Sequence, residues 1–275
     1  MPNILKTHAD LKTLKARGKT FGFVPTMGAL HDGHLALARQ ALNECDECIV
    51  SIFINPKQFA PHEDFDRYPR TLERDAELLW RIGVQSIFAP DVDVMYPPDF
   101  QTSVMVGEIS KPLEGEFRPH FFTGVATVVA RLLLLVGADK AYFGEKDYQQ
   151  LQVIKALARD LAIPTYIIGV PTIREASGLA LSSRNAYLNP AQKEQALTII
   201  KVLKNMAEDF KSGLPIDKIE KDAQNKILSA GFDKIDYITI RDADTLLHPI
   251  PQTNFYRILA AAWLGQTRLI DNIGI

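Results

Sequence analysis

Two histidines three residues apart stand in the segment Pro25-Thr26-Met27-Gly28-Ala29-Leu30-His31-Asp32-Gly33-His34, which follows an apolar, β-rich run from Thr20 to Val24 and leads into a helical pattern. A strand-to-helix turn at the carboxyl edge of a parallel sheet is where that architecture binds ligands. Gly28 and Gly33 let the backbone approach a ligand, and a helix N-terminus offers unpaired N–H groups and partial positive charge to phosphate. The i, i+3 spacing predicts His31 and His34 on one helix face, donating to phosphate oxygens whose charge rises as phosphorus is attacked. A local helix cap or a metal site is the competing reading of the pair. The preceding strand and the two glycines favour the nucleotide.

Three further segments carry polar chemistry at predicted strand ends or turns. Ser51 to Ile54 runs into Asn55-Pro56-Lys57-Gln58-Phe59, where Pro56 stiffens the exit and Gln58 offers both donor and acceptor to a small polar substrate. Phe143-Gly144-Glu145-Lys146-Asp147-Tyr148-Gln149-Gln150 follows the strand DKAYF. Lys146 is suited to neutralise a triphosphate and Asp147 to orient the nucleotide or its magnesium shell. Glu145 and Asp147 also suit a helix N-terminus through the dipole alone, which leaves the lysine unexplained. In Leu179-Ala180-Leu181-Ser182-Ser183-Arg184-Asn185, two hydroxyls and a guanidinium are expected to close over phosphates.

The elements that must hold these turns alternate. KTFGFVP, ECIVSIFI, VQSIFAP, DKAYFG and PTYIIGV read as strands, separated by the helical patterns GHLALARQALNEC, TLERDAELLWRIG, GVATVVARLLLLVG and KDYQQLQVIKALARDLAI. That order predicts a doubly wound, Rossmann-like parallel sheet covered on both faces. After Arg174 come two helical patterns, Ala191 to Lys211 and Ile216 to Ala230, and then three short strand patterns. The expectation is an α/β domain over 1–174 and a smaller α+β domain over 175–275 that closes over the nucleotide.

The chain has 275 residues, 47% hydrophobic and 23% charged, with net charge −2, which excludes a disordered chain and a broad basic nucleic-acid surface. MPNILKTHADLKTLKARGK lacks the apolar core of a signal peptide, and the longest apolar run, Leu132 to Val136, is far short of the ~20 residues that span a bilayer. A cytoplasmic protein without a membrane partner is expected. Cys45 and Cys48 have C-x-x-C spacing, yet the further ligands of a zinc site are missing nearby, so both are expected to pack, and no protein-bound metal is assigned.

Seven ordered blocks, VPTMGALHDGH, VSIFINPKQF, DFDRYPRTLERD, FGEKDYQQL, LALSSRNAYL, IRDADTLL and LAAAWLGQTRLIDN, resemble the pantothenate synthetase family over nearly the whole chain. The H-D-G-H within the first is similar to the H-x-G-H signature of a nucleotidyltransferase superfamily that includes class I aminoacyl-tRNA synthetases. The resemblance implies ATP-dependent joining of pantoate to β-alanine through a pantoyl adenylate. It implies that Met27 to His34, Gly144 to Asp147, Ile173 and Leu181 to Arg184 contact ATP, with His34 as proton donor and His31 assisting. It implies that Gln58 and Gln150 hold pantoate, that Asn55 lies at the β-alanine pocket, that Mg2+ accompanies ATP, and that the enzyme is a homodimer. One block departs from the pattern: Arg118-Pro119-His120-Phe121-Phe122 stands where the family commonly reads R-P-G-H-F, inside a segment, Glu114 to Gly124, that resembles a lid.

Two rival functions remain. A related enzyme moving a nucleotidyl group onto a phosphorylated acceptor would want more Lys or Arg than the Gln58 and Gln150 pair supplies. A nucleotide-sensing or RNA-contacting module would not need His31, His34, Lys146 and Arg184 together.

Overall fold

The structure, a computed structural model, describes residues 1–15, 18–59 and 65–275. Asp64, the first residue of the third block, lies outside the described residues. The chain divides into two compact units: Met1–Glu145 with Gln150–Pro171, and Lys146–Gln149 with Thr172–Ile275.

In the first unit the elements run β1 (Asn3–Leu5), α1 (His8–Lys15), β2 (Phe21–Thr26), α2 (Asp32–Glu44), β3 (Glu47–Ile52), α3 (Leu72–Arg81), β4 (Ser86–Phe88), α4 (Val92–Met95), α5 (Glu114–Phe117), α6 (Phe121–Val136), β5 (Lys140–Gly144), α7 (Tyr148–Asp160) and β6 (Tyr166–Val170). The first two residues of α7 group with the second unit. The six strands form one parallel sheet in the order β1-β4-β3-β2-β5-β6. Because successive side chains of a strand face opposite ways, each face draws on alternate residues. Phe21, Phe23, Ile49, Phe88, Ala141 and Phe143 pack with α1, α6 and α7. Val24, Cys48, Val50, Ile87, Tyr142 and Val170 pack with α2 and α3. Both faces are therefore covered, as a buried parallel sheet requires.

The run expected as the first strand is thus the second, since the short edge strand β1 precedes it. Asn3-Ile4-Leu5 has two apolar residues, neither of them buried, and so lacks the buried apolar run that marks β4, which is equally short. The helices α4 and α5 have four residues each, too few to show a helical period.

The second unit contains α8 (Pro190–Lys211), α9 (Ile216–Ser229) and the antiparallel sheet β7 (Lys234–Asp242), β8 (Tyr256–Leu264) and β9 (Thr267–Gly274). Asn189 caps α8 with a reciprocal bond to Gln192, and Pro190 fits the first turn, where its missing N–H costs nothing. Leu197, Leu203, Ile227, Ile240 and Ile258 are among the buried side chains joining helices to sheet.

Candidate active site

Strand order fixes where a ligand can sit in the first unit. From β2 the chain proceeds to β3 and β4 on one side, whereas β5 lies on the other side and continues to β6. β2 and β5 pair directly, so the strand order reverses between them, and the crevice beyond their carboxyl ends is the ligand position of such folds. Two predicted turns leave these two strands: Met27 to His31 follows β2, and Gly144-Glu145 closes β5.

The turn after β2 has an unusual backbone. Gly28 and Ala29 have φ of 89° and 53°, both left-handed. Such a conformation costs a non-glycine residue roughly 1–2 kcal/mol, so something must hold Ala29 there. That group is Asp75 of α3, fully buried, whose carboxylate accepts the N–H of Ala29 and of Leu30 at 2.9 Å each and the Thr71 hydroxyl at 3.0 Å. Sequence reasoning missed Asp75, because 46 residues separate it from Ala29.

His31 is the N-cap of α2 rather than a residue on its face, with extended backbone at φ −134° and ψ 174°. The expected shared face is in this respect corrected: the residues form a capping box. His31 Nδ1 accepts the Gly33 N–H at 3.2 Å, and His34 Nδ1 accepts the His31 N–H at 3.4 Å. The rings still lie together, centroids 4.1 Å apart. A neutral imidazole that accepts at Nδ1 carries its proton on Nε2, so both rings are donors through Nε2. Asp32 is exposed in the first turn, where its charge suits the dipole.

Gln58 reaches the same turn, with its Nε2 2.9 Å from the Met27 sulfur. Asn55 is 1% exposed, and its amide is engaged within the protein. Its Nδ2 donates to Gln58 Oε1 at 3.1 Å and to the Gly124 carbonyl at 3.2 Å, while its Oδ1 accepts from the Tyr96 hydroxyl and the Lys57 N–H. The bond to Oε1 orients the Gln58 amide. Gly124 of α6 is needed there, since a Cβ would collide with the Lys57 carbonyl. Gln150 is half-buried near the start of α7. The segment expected as a lid is helical over Glu114–Phe117 and again from Phe121, and the Arg118 guanidinium lies 3.7 Å from the centre of the Phe121 ring.

The second unit holds the remaining predicted residues. Lys146 is 17% exposed, with Nζ 3.8 Å from the Asp147 carboxylate. Leu181 N–H bonds the Ile173 carbonyl at 3.0 Å, bringing the 37% exposed Ile173 beside Leu181. Ser182 caps the 3-10 turn Ser183–Tyr187, its hydroxyl accepting the Arg184 N–H at 3.3 Å.

Among the described residues, no group of three or more His, Cys, Asp or Glu side chains is placed to hold a metal. Cys45 and Cys48 are free thiols. Burial pushes the Cys48 thiol up to about 12, so it stays protonated and packs as a small apolar group.

A family model described as pantoate-beta-alanine ligase matches residues 3–274. The chain belongs to that family. The pantothenate synthetase of Caulobacter vibrioides is 50% identical over 282 aligned positions, covering 100% of this chain and 99% of its own. Among solved structures, pantothenate synthetase from Thermus thermophilus is 44% identical with a TM-score of 0.94, covering 99% of each chain. The pantoate-beta-alanine ligase of Francisella tularensis, solved with beta-gamma ATP and beta-alanine, is 36% identical with a TM-score of 0.79, covering 99% of this chain and 97% of its own. The Rossmann-like sheet with a smaller α+β unit is thus the architecture of this family.

Proposed function

We propose that this protein is a pantothenate synthetase that condenses pantoate with β-alanine at the expense of ATP, giving pantothenate, AMP and pyrophosphate. The observation that carries the proposal is the histidine-capped turn at the point where the strand order reverses, in a chain whose residues 3–274 match the ligase family.

A carboxylate is a poor electrophile, so pantoate must first acquire a leaving group. Its carboxylate oxygen attacks the α-phosphorus of ATP, the bond to the bridging oxygen breaks, and pyrophosphate leaves. His31 and His34 donate through Nε2 to phosphate oxygens that gain charge in this step, and Lys146, Ser182, Ser183 and Arg184 act on the triphosphate. Met27 to Leu30, Asp32, Gly33, Gly144, Glu145, Ile173 and Leu181 complete the nucleotide contacts. Gln58 and Gln150 hold pantoate, and Asn55, bonded to the Gln58 amide, lies at the β-alanine pocket. The neutral amine of β-alanine then attacks the acyl carbon, AMP departs with the C–O electron pair, and the amide nitrogen loses a proton. No residue forms a covalent intermediate in this scheme.

Magnesium belongs to this proposal as the companion of the triphosphate, where it neutralises charge. A magnesium ion commonly takes one or two carboxylates together with phosphates and water, and Asp147, partly exposed beside Lys146, is the carboxylate that fits. The family resemblance supports a homodimer in the cytoplasm. No helix among the described residues is long and apolar enough to cross a membrane.

Incubation with ATP, magnesium, pantoate and β-alanine should yield AMP and amide in equal amounts. ADP in place of AMP would overturn the proposal, as would AMP formation that proceeds equally well with other acids.

A further inference from the structure

The segment Arg268-Leu269-Ile270-Asp271-Asn272 of β9 includes two adjacent polar residues that are among the most buried of the second unit, Asp271 at 6% and Asn272 at 3% exposure. β9 pairs with β8 in unbroken register from Thr267 to Gly274, so these neighbours face opposite sides of the sheet. Buried polar groups persist where partners satisfy them, and here the partners lie on the segments assigned to the nucleotide.

On one side, Asp271 forms a fork with Arg174, Oδ2 to Nη1 at 2.6 Å and Oδ1 to Nη2 at 2.8 Å. Nη1 also donates to the Gly178 carbonyl at 3.2 Å. Arg174 bridges antiparallel to Ala180, one step from the bond between Ile173 and Leu181, so the fork anchors the base of a small hairpin. Asn185, buried, then ties the following turn to the hairpin through the Ala180 carbonyl at 3.0 Å. The position of Leu181 to Arg184 therefore follows from Asp271.

On the other side, Asn272 Nδ2 donates to the Lys146 carbonyl at 2.8 Å. Its Oδ1 accepts from Arg257 Nε at 2.6 Å, and the Arg257 guanidinium lies 4.0 Å from the centre of the Tyr148 ring. The Tyr148 hydroxyl donates to the Ala243 carbonyl at 3.1 Å. Lys146 thus has its main chain fixed within the second unit, and its ammonium lies 3.8 Å from the Asp147 carboxylate.

We propose that Asp271 and Asn272 are positioning residues for ATP, each fixing one nucleotide-handling segment from one face of β9. This rests on the assignment of Lys146 and Arg184 to ATP made above. Neither residue touches the nucleotide. Their effect passes through Lys146 and through the Leu181-to-Arg184 turn, and a displacement of about 1 Å in such groups costs on the order of 10²-fold.

The test is a pair of double-mutant cycles on the AMP-forming rate, with thermal unfolding recorded for every variant. Asn272→Asp is nearly isosteric: it keeps the acceptor for Arg257 but turns an oxygen toward the Lys146 carbonyl. It should lower kcat/KM for ATP by about 10- to 100-fold and leave KM for pantoate within about 2-fold. In a Lys146→Ala background the same change should cost less than about 3-fold. Asp271→Asn should behave likewise against Arg184→Ala. If it does not fold, Arg174→Lys, which keeps the charge and loses the fork, takes its place. Losses that multiply in the double variants, or that fall on pantoate and ATP equally, would overturn the positioning role. A Lys146→Ala enzyme with normal ATP dependence would instead remove Lys146 from the ATP assignment, and the Asn272 tether with it.

Discussion

Asp75 accepts the Leu30 N–H at 2.9 Å from inside α3, and its other oxygen accepts the Ala29 N–H at the same distance. Two consecutive amides of the turn after β2 are thereby held by one buried carboxylate while Ala29 occupies a left-handed conformation. Asp75→Ala would leave two N–H groups and the Thr71 hydroxyl without this acceptor, and each unsatisfied buried group costs roughly 1–3 kcal/mol. The expected outcome is a loss of about 2–4 kcal/mol in urea unfolding, partly offset by relaxation of the turn, together with reduced turnover. An unchanged urea midpoint would show that the turn holds its shape without Asp75.

The histidine pair requires two substitutions to interpret. His34→Ala removes both the Nε2 donor and the Nδ1 acceptor of the capping box, so a helix cap worth about 1 kcal/mol is lost along with the chemistry. His34→Asn offers a replacement acceptor to the His31 N–H but no donor at the Nε2 position. Both variants should lose about 10²- to 10³-fold in turnover, whereas only Ala should unfold earlier. Recovery of turnover in the Asn variant would reduce His34 to a cap.

The legibility of this chain followed the range of the interactions involved. The longer strands announced themselves as continuous apolar runs, because Phe21 and Phe23 face one helical layer, Val24 faces the other, and both layers require apolar side chains. The spacing of His31 and His34 correctly implied adjacent rings, but not that His31 would be an extended cap, since cap and first helical turn share the same residue types. The blocks DFDRYPRTLERD and LAAAWLGQTRLIDN carried the resemblance without a chemical explanation. Their polar residues act across long separations: Asp75 on Ala29, Asp271 on Arg174, Asn272 on Lys146. Only folding brings those groups together.

Glu44 ends α2 with its carboxylate 2.9 Å from Lys140 Nζ, 3.0 Å from Gln40 Nε2 and 3.1 Å from the Tyr142 hydroxyl. The Lys140 hydrogen bond, followed by that of Gln40, holds its pKa down to about 2 from an ordinary 4.5. A depressed carboxylate contributes stability above its unfolded pKa and loses it as pH falls through the folded one. Glu44→Gln should therefore lower the unfolding temperature slightly at pH 7, and the gap to the parent should shrink between about pH 4.5 and 2 and close below. High salt should narrow the gap at pH 7, since the pair is solvent-accessible. A difference that persists unchanged below pH 2 would assign the effect to packing.

The order of the two chemical steps gives the last prediction. If pantoate attacks the α-phosphorus before β-alanine takes part, the first step is complete and reversible with ATP and pantoate alone. Pantoyl adenylate then stays bound, and exclusion of water preserves the mixed anhydride until an amine arrives. Radiolabelled pyrophosphate should accordingly exchange into ATP when pantoate is present and β-alanine is absent, and adding unlabelled AMP should not be required. His34→Asn should depress this exchange as strongly as the overall reaction, because its donor acts at phosphorus. Gln58→Leu should instead shift the pantoate concentration that supports exchange while ATP binding, measured by calorimetry, stays intact. Exchange that appeared only with β-alanine would mean that all three substrates react in one concerted complex. Exchange of phosphate into ATP would point to an acyl phosphate, and either outcome would displace the adenylate.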